Sequence, residues 1–389
     1  MKTIQSDLVI IGGGIAGLWL LNRARQQGFS AILLESHSLG AGQTIKSQGI
    51  IHGGIKYALQ GSMTKGAEAL SDIPSIWQAS LQGHGEINLS NVPILSHEQY
   101  LWSTGMLSQF AGMVASKTLS SHTKKLNKEE FPDIFRHHAF KGQVYALSEN
   151  VIDVSALLRE LAKPYENFIY QIEPEIILDE NAQIHSLKIS NDLEIKAQKY
   201  IFTAGAGNED LLKKLNHSNI AMQRRPLHMV MVKHHIATPL FGHCLGISAL
   251  PRLTITTHRT CDDRYVWYIG GQLAEEGVKR NAAEQIAATR KELRELFPWC
   301  DFSDAEYASF YIDRAENKEP NGSRPTHSFF KEEKNIIVAW PTKLAFAPQL
   351  AHDILKNLSV AKGNFDASGM ENFPKPSIAK LPWECSWTP

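Results

Sequence analysis

The sequence predicts an α/β chain, α+β overall, that opens with a βαβ unit and goes on to a second, more antiparallel sheet. Three observations predict it. An apolar strand runs straight into a glycine fingerprint at residues 8–17, the texture turns β-rich beyond Pro226, and a strand, a turn and a helix follow from Asn335 to Leu358. The fingerprint is Gly12, Gly14 and Gly17, in G-x-G-x-x-G spacing. Gly12 allows the tight turn out of the strand, Gly14 lets a diphosphate approach the backbone, and Gly17 lets the helix pack on the sheet. The helix from Ile15 and Ala16 to Gln27 would aim its first N–H groups at the phosphates, and Gly28 would cap its other end. A second apolar run, Ala31 to Leu34, delivers Glu35 about twenty residues past the glycines. A carboxylate there accepts hydrogen bonds from both ribose hydroxyls and repels a 2′-phosphate. The amino-terminal unit is therefore read as an adenine dinucleotide site.

Composition narrows the classes. At 389 residues, two packed domains are expected. Lys plus Arg and Asp plus Glu both number 40, so no net charge draws the chain to nucleic acid. The cysteines, Cys244, Cys261, Cys300 and Cys385, lack C-x-x-C spacing and are expected as buried free thiols. His137-His138 and His234-His235 are adjacent pairs whose side chains diverge, so no metal site is expected. No apolar segment is long enough to cross a bilayer. With no signal peptide before the first strand, a cytoplasmic location is expected, with peripheral contact at the inner face of a membrane left open.

Along the chain, Ser36 to Gly54 is polar, glycine-rich and too long for a simple connection, which marks a functional loop. Val151-Ile152-Asp153 opens an amphipathic helix. Ile176 to Leu178 and Ile184 to Ile189 form a hairpin around Asp179-Glu180-Asn181. Tyr200 to Phe202 is a buried strand that ends in small residues, Thr203, Ala204 and Gly205. Leu227 to Lys233, Arg252 to Thr257 and Tyr265 to Leu273 read as strands of the second sheet. Asn281 and Glu284 make a capping box for a helix that Pro298 ends. The domains are expected at 1–80, 142–215 and 325–361 for the nucleotide unit, and at 81–141 and 216–324 for the substrate unit. A Pro- and Trp-containing tail, 362–389, completes the chain.

The fingerprint with Glu35, the Thr203-Ala204-Gly205 strand end and the closing unit from Trp340 to Leu358 together resemble the D-amino-acid oxidase superfamily of FAD-dependent oxidoreductases. The resemblance implies a doubly wound, Rossmann-like FAD-binding domain with a mainly antiparallel substrate domain inserted between its passes, and one non-covalent FAD. Ser47-Gln48-Gly49-Ile50-Ile51-His52-Gly53-Gly54-Ile55-Lys56-Tyr57 is similar to the flavin-facing loop of FAD-dependent glycerol-3-phosphate dehydrogenases and L-2-hydroxyglutarate oxidases. Arg225-Pro226-Leu227-His228 resembles the strand that carries the proposed base of the former. Asp313-Arg314-Ala315-Glu316 resembles the anion-binding segment of the latter, with Arg324-Pro325 as a rival.

What the resemblance implies is oxidation of the CH–OH group of a small anionic metabolite, with hydride transfer to the flavin. His228 is the expected base and His52 the second choice, while Arg314 and Lys56 would hold the anion. Ser36, Thr44, Ser47, Gln48, Gly49, Ile51, Ala204, Gly205, Thr342, Lys343 and Leu344 complete the expected FAD contacts. Pro341-Thr342-Lys343 departs from the dehydrogenase pattern, and the helix after it is expected to begin near Ala345 or Phe346, its N-terminus facing the flavin. The alternatives are amine or amino-acid oxidation and a non-catalytic FAD-binding protein. The electron acceptor stays open among oxygen, a quinone and a redox protein.

Overall fold

Alternation along the first strand sets the architecture. Lys2–Ile11 sends Leu8 and Ile10 into one apolar layer and Val9 and Ile11 into another. A strand with both faces buried belongs inside a parallel sheet covered on each side. The computed structural model, which describes residues 2–52, 73–104, 123–216, 219–246, 250–363, 369–384 and 387, has that sheet. Its parallel core runs Ile336–Trp340, Leu193–Phe202, Lys2–Ile11, Ala31–Glu35, Ile169–Gln171. Phe329–Glu333 adds an antiparallel edge, and the expected hairpin, Glu175–Leu178 with Ile184–Lys188, joins the start of Leu193–Phe202.

Helices cover one face. Ile15–Gln26, Ile73–Leu81, Val154–Ala162 and Ala347–Lys356 contribute Trp19, Trp77, Leu157 and Ile354 to a single core. Two local devices start and stop them. Asp153 caps Val154–Ala162 by accepting from the Ala156 N–H, and Gly28, at φ 85°, ends the first helical segment. Asn22, an amide buried in that helix layer, donates to the Leu18 and Leu161 carbonyls at 2.9 and 2.7 Å.

The second sheet also has eight strands, in the order Glu306–Asn317, Met222–His234, Tyr265–Gly270, Leu253–Arg259, Gly242–Cys244, Gln99–Ser103, Gln143–Leu147, Thr123–Lys125. All pair antiparallel except Gly242–Cys244 with Gln99–Ser103. The helix Ala282–Leu296, opened by the expected Asn281–Glu284 capping box, packs Leu293 and Leu296 on Val230, Val232 and Trp267. Met229, Met231 and Tyr268 face the other way, toward Trp383 of the tail. Tyr265–Gly270 stops three residues short of the expected Leu273. Gly271 turns the chain at φ 88°, and Gln272–Glu276 is helical. Gln143–Leu147, inside the 142–215 span read as nucleotide unit, hydrogen-bonds within this second sheet.

The tail is a packed arm. Ser377 accepts from the Leu39 N–H at 2.8 Å, Pro374 from the Gln171 N–H at 2.8 Å, and Trp383 stacks on His258 at 3.9 Å. Among the described residues no helix is long and apolar enough to cross a membrane. Cys244, Cys261 and Cys300 are free; Cys244 is buried as expected, whereas Cys261 is exposed, and Cys385 lies outside the described residues.

Candidate active site

The chain leaves the first strand for Ala31–Glu35 on one side and returns as Leu193–Phe202 on the other, so a crevice opens at the carboxyl end of the first strand. The turn there is built by contact. Gly12 has φ 112°, and a Cβ on it would lie 2.6 Å from Ala204 Cα. A Cβ on Gly17 would lie 2.0 Å from the Gly12 carbonyl oxygen. Thr203 Oγ1 donates to that same oxygen at 2.9 Å. Asn208 then ties two strand ends together, accepting from the Ala204 N–H at 2.9 Å and donating to the Ala339 carbonyl at 3.1 Å.

These ends form the floor of a cavity of about 820 Å³ whose roof is the second sheet. Its lining includes Gly12, Gly14, Ile15 and Ala16 from the first turn, with Glu35 and Ser36 from the second strand end. Ala204 and Gly205 lie opposite, and Thr342, Lys343 and Leu344 close one end. A Cβ on Gly14 would meet only Thr44 Oγ1, at 3.2 Å, and one on Gly205 only Gln43 Oε1, at 3.6 Å. Bare backbone thus faces open space on both sides of the crevice. The first helix has no side-chain cap, and Thr44 Oγ1 takes the Ile15 N–H at 3.1 Å. Glu35 is held by the Gly13 and His37 N–H groups at 2.6 and 2.9 Å. An open glycine cradle, a helix N-terminus and a fixed carboxylate fit the diphosphate and ribose of FAD. Gly17 lies outside the lining, as its packing role requires.

The loop after Ser36 passes through turns at 40–46 and then lines this cavity. Ser47, Gln48, Ile50 and His52 line it, whereas Gly49 and Ile51 do not. The reason is steric. Gly49, at φ 68°, packs so closely that a Cβ would lie 2.3 Å from the Ile152 carbonyl oxygen, and Ile51 is buried in the first core. These two expected FAD contacts instead seat the loop on Val151–Ile152. At the far end, Lys343 N–H closes on the Pro341 carbonyl at 2.6 Å, with Thr342 between them at φ 59°. A single 3-10 turn, Leu344–Phe346, leads into Ala347–Lys356 with Pro348 in its first turn, in line with the expected start.

The structure separates the expected chemical groups. His228 does not reach the cavity. Leu227 and Met229 line it, so the residue between them on an extended strand points to the opposite face. His228 is 1% exposed, with Nδ1 against the Gly277 carbonyl and Nε2 against Ser309 Oγ, both at 2.9 Å. Lys56 lies outside the described residues. Arg314 does line the cavity, its Nε donating to the Arg225 carbonyl at 3.0 Å and its Nη1 to Glu275 at 3.2 Å. Burial, together with neighbouring Arg225, pulls its guanidinium down to about 10 against the opposing effect of Glu275. Arg324 lines the same cavity.

His52 gains partners that no local pattern announces. Its Nδ1 lies 3.3 Å from Glu149 Oε2, and Gln99 Nε2 donates to that same oxygen at 3.1 Å. The His52 ring stacks on His243 at 6.2 Å, and His243 Nδ1 lies 2.8 Å from Thr254 Oγ1. His52, Glu149 and His243 each offer a ligand atom within 4.8 Å of the others, a grouping the adjacent histidine pairs in the sequence did not suggest.

Fold and cavity define a dinucleotide-binding site. A family model described as FAD dependent oxidoreductase (DAO) matches residues 7–339. The probable FAD-dependent oxidoreductase PA4991 of Pseudomonas aeruginosa is 43% identical over 392 residues, covering 99% of each chain. Its crystal structure superposes with a TM-score of 0.85 over 99% of both chains. The chain belongs to the DAO family of FAD-dependent oxidoreductases, and it binds FAD. More distant likenesses are to the aerobic glycerol-3-phosphate dehydrogenase of Staphylococcus aureus, 23% identical over 54% of this chain and 40% of that protein. Glycine oxidase of Geobacillus kaustophilus shares the fold, with a TM-score of 0.63 over 94% of this chain and 97% of that one, at 14% identity. The motif likeness to L-2-hydroxyglutarate oxidases finds no support in these relatives.

Proposed function

We propose that the cavity oxidises the C–N bond of a small amine that also bears a carboxylate. One observation carries this reading: groups of both signs face the same cavity, Arg314 and Arg324 on the one hand, Glu149 and Glu275 on the other. A zwitterion suits both signs, its carboxylate meeting an arginine and its ammonium the His52 imidazole that Glu149 backs. A hydroxy acid or phosphate ester brings only negative charge, which the arginines suit and a carboxylate 3% exposed does not. This reading departs from the CH–OH oxidation expected from the motifs.

FAD, when bound, supplies the acceptor for the hydride. The chain's own residues orient and deprotonate. Arg314, already held by Glu275 and the Arg225 carbonyl, receives the substrate carboxylate. His52 takes a proton from the ammonium, leaving the neutral amine that can give up a hydride. The loop from Lys46 to His52 and the turn at Thr342 flank the reacting centre.

A CH–OH substrate is the second reading. It is supported by the imidazole of His52 beside a carboxylate, which serves an alcohol proton equally well, and by the kinship with aerobic glycerol-3-phosphate dehydrogenase. Anaerobic mixing of the FAD-loaded protein with glycine, proline, other amino and imino acids, L-2-hydroxyglutarate and glycerol 3-phosphate separates the two. Bleaching of the flavin by carboxylate-bearing amines alone is the expected result. Bleaching by the hydroxy compounds alone establishes the second reading instead.

A further inference from the structure

We propose that Glu149 is the positioning residue for His52. It holds the imidazole by Nδ1–H, so that proton exchange with the substrate runs through Nε2. Three segments far apart in sequence converge to make this arrangement. Glu149 follows the strand Gln143–Leu147, Gln99 opens the neighbouring strand Gln99–Ser103, and His243 sits on Gly242–Cys244, next in the same sheet. His52 comes from the loop of the other domain. The sheet thus presents an ordered carboxylate to a loop that is itself seated on Val151–Ile152, where the Ile152 N–H donates to the Gly49 carbonyl at 3.0 Å.

The contacts fit a positioning role. Glu149 and Gln99 are both buried, 3% and 0% exposed, so the carboxylate is neither a surface charge nor a mobile one. Gln99 Nε2 donates to the oxygen nearest His52, Oε2, and fixes its direction. A carboxylate against Nδ1 selects the tautomer protonated there and supports the imidazolium that forms when Nε2 takes a proton. Among the described groups around the ring, Glu149 meets Nδ1, Gln99 backs that carboxylate, and His243, oriented by Thr254 Oγ1, stacks with its centroid 6.2 Å away. In the oxidation the substrate N–H or O–H proton passes to Nε2, and the C–H electron pair leaves as the hydride that FAD accepts. The imidazolium then returns its proton to solvent. Glu149 remains ionised throughout, and no further reactant is needed.

The inference rests on His52 being the proton acceptor of the proposed reaction, yet it can be read without a substrate. Holoenzyme labelled with nitrogen-15 histidine, with His52→Asn to assign the resonance, reports the tautomer of His52 in the wild-type protein. The expected form at alkaline pH carries the proton on Nδ1; the Nε2–H form would overturn the proposal. In FAD-replete Glu149→Gln, the His52 titration should fall by at least about one unit, and in Glu149→Asp by less. The pH profile of flavin reduction should shift by the same amount with whichever donor bleaches wild type. An unmoved His52 midpoint in Glu149→Gln sinks the assignment, and so does stoichiometric metal retained by the purified protein at these three residues. Failure of every panel compound to bleach the flavin counts against the substrate reading alone, because the tautomer is still observed.

Discussion

The Gln48 side-chain amide donates to the Tyr268 carbonyl at 2.9 Å, and the Tyr268 hydroxyl donates back to the Lys46 carbonyl at 2.6 Å. This reciprocal pair spans the two domains. Gln48 also reaches the Thr254 carbonyl at 3.2 Å, and Gln43 accepts from the Ala315 N–H at 3.0 Å. The loop that carries His52 is therefore bonded to three strands of the second sheet. Its geometry depends on that sheet as much as on the nucleotide fold beneath it.

Gln48→Leu removes the amide and leaves the Tyr268 and Thr254 carbonyls without that donor. Stability should drop by about 1–3 kcal/mol, the usual cost of an orphaned buried polar group. Because the loop lines the FAD cavity, FAD occupancy should fall with it. Calorimetry and the flavin-to-protein absorbance ratio check both. A variant as stable and as yellow as wild type would show that the interdomain bonds do not hold the loop.

Two glycines of one fingerprint should fail differently. Gly17→Ala puts a methyl 2.0 Å from the Gly12 carbonyl oxygen, so the helix has to move off the strand. The protein should be destabilised by roughly 1–3 kcal/mol or more, with or without FAD. Gly14→Ala meets only Thr44 Oγ1, at 3.2 Å, and points into the cradle. Its apoprotein should melt within about 1 kcal/mol of wild type, a helix-terminal Gly-to-Ala exchange being mild. FAD affinity should nonetheless fall at least about tenfold, the equivalent of ~1.4 kcal/mol. Thermal melts of apoprotein and FAD titrations distinguish the two.

Much of this was legible, and for a physical reason. Period-two burial, glycine spacing and capping boxes are local signals, so the first strand, the turn at Gly12, Glu35 and the Asn281 cap could be read directly. Sheet pairing between distant segments is not local. Glu149, Gln99 and His243 meet His52 only because their strands are neighbours in the second sheet, and no spacing in the chain records that. His228 shows how motif and register can conflict. Its strand is where the motif places it, but Leu227 and Met229 take the cavity face and alternation sends His228 behind the sheet. Gly49 fits a flavin-facing loop by composition; only its contact with Ile152 reveals that it faces inward.

Arg314 should govern substrate affinity. Replacing it by Leu removes the fork and leaves Glu275 without its partner, while Arg314→Lys keeps the charge but not the geometry. Expected losses are about 2–3 kcal/mol for Leu, which is roughly thirtyfold to 150-fold in KM, and a smaller loss for Lys. Arg224→Ala, at a residue that lines the same cavity, serves as the control for stability alone. That side chain bridges Glu209 and Asp313 while nearly half exposed, so its removal should change stability by no more than about 1 kcal/mol. Steady-state kinetics with a donor from the panel provides the measurement. Equal KM values for wild type and Arg314→Leu would transfer the anion site to Arg324.

Thr342 should prefer replacement by the residue usually worst for a folded chain. A β-branched side chain at φ 59° stores about 1–3 kcal/mol of backbone strain. Thr342 Oγ1 donates to the His327 carbonyl at 3.1 Å, a bond worth about 1 kcal/mol. Thr342→Ala forfeits the bond and keeps most of the strain, whereas Thr342→Gly forfeits the bond and releases the strain. Gly should therefore be the more stable of the two by at least about 1 kcal/mol in denaturant unfolding. The reverse order would mean that the turn before the last helix is unstrained.

Acid should loosen the second sheet before Asp7 of the first sheet gives up its charge. Burial pulls the His258 imidazole down to about 3, and burial with His235 nearby pulls His234 down to about 4. In the unfolded chain both titrate near 6.5. Above that pH both states are neutral and neither histidine affects stability. Below it the unfolded chain binds protons that the folded one refuses, so stability falls as pH drops from about 6.5 toward 4, each histidine contributing about 1.4 kcal/mol per pH unit. Asp7 acts lower down. Burial raises its carboxyl, but N–H donors from Ser30, Gly363 and Lys362 outweigh that and hold it below its ordinary 3.8, so its contribution is lost only under stronger acid. His258 stacks on Trp383, and charging it strains the seat of the tail arm. His258→Gln should flatten the decline of Tm between pH 7 and about 5 and keep Trp383 fluorescence native to lower pH. A slope identical to that of wild type would place the acid sensitivity elsewhere.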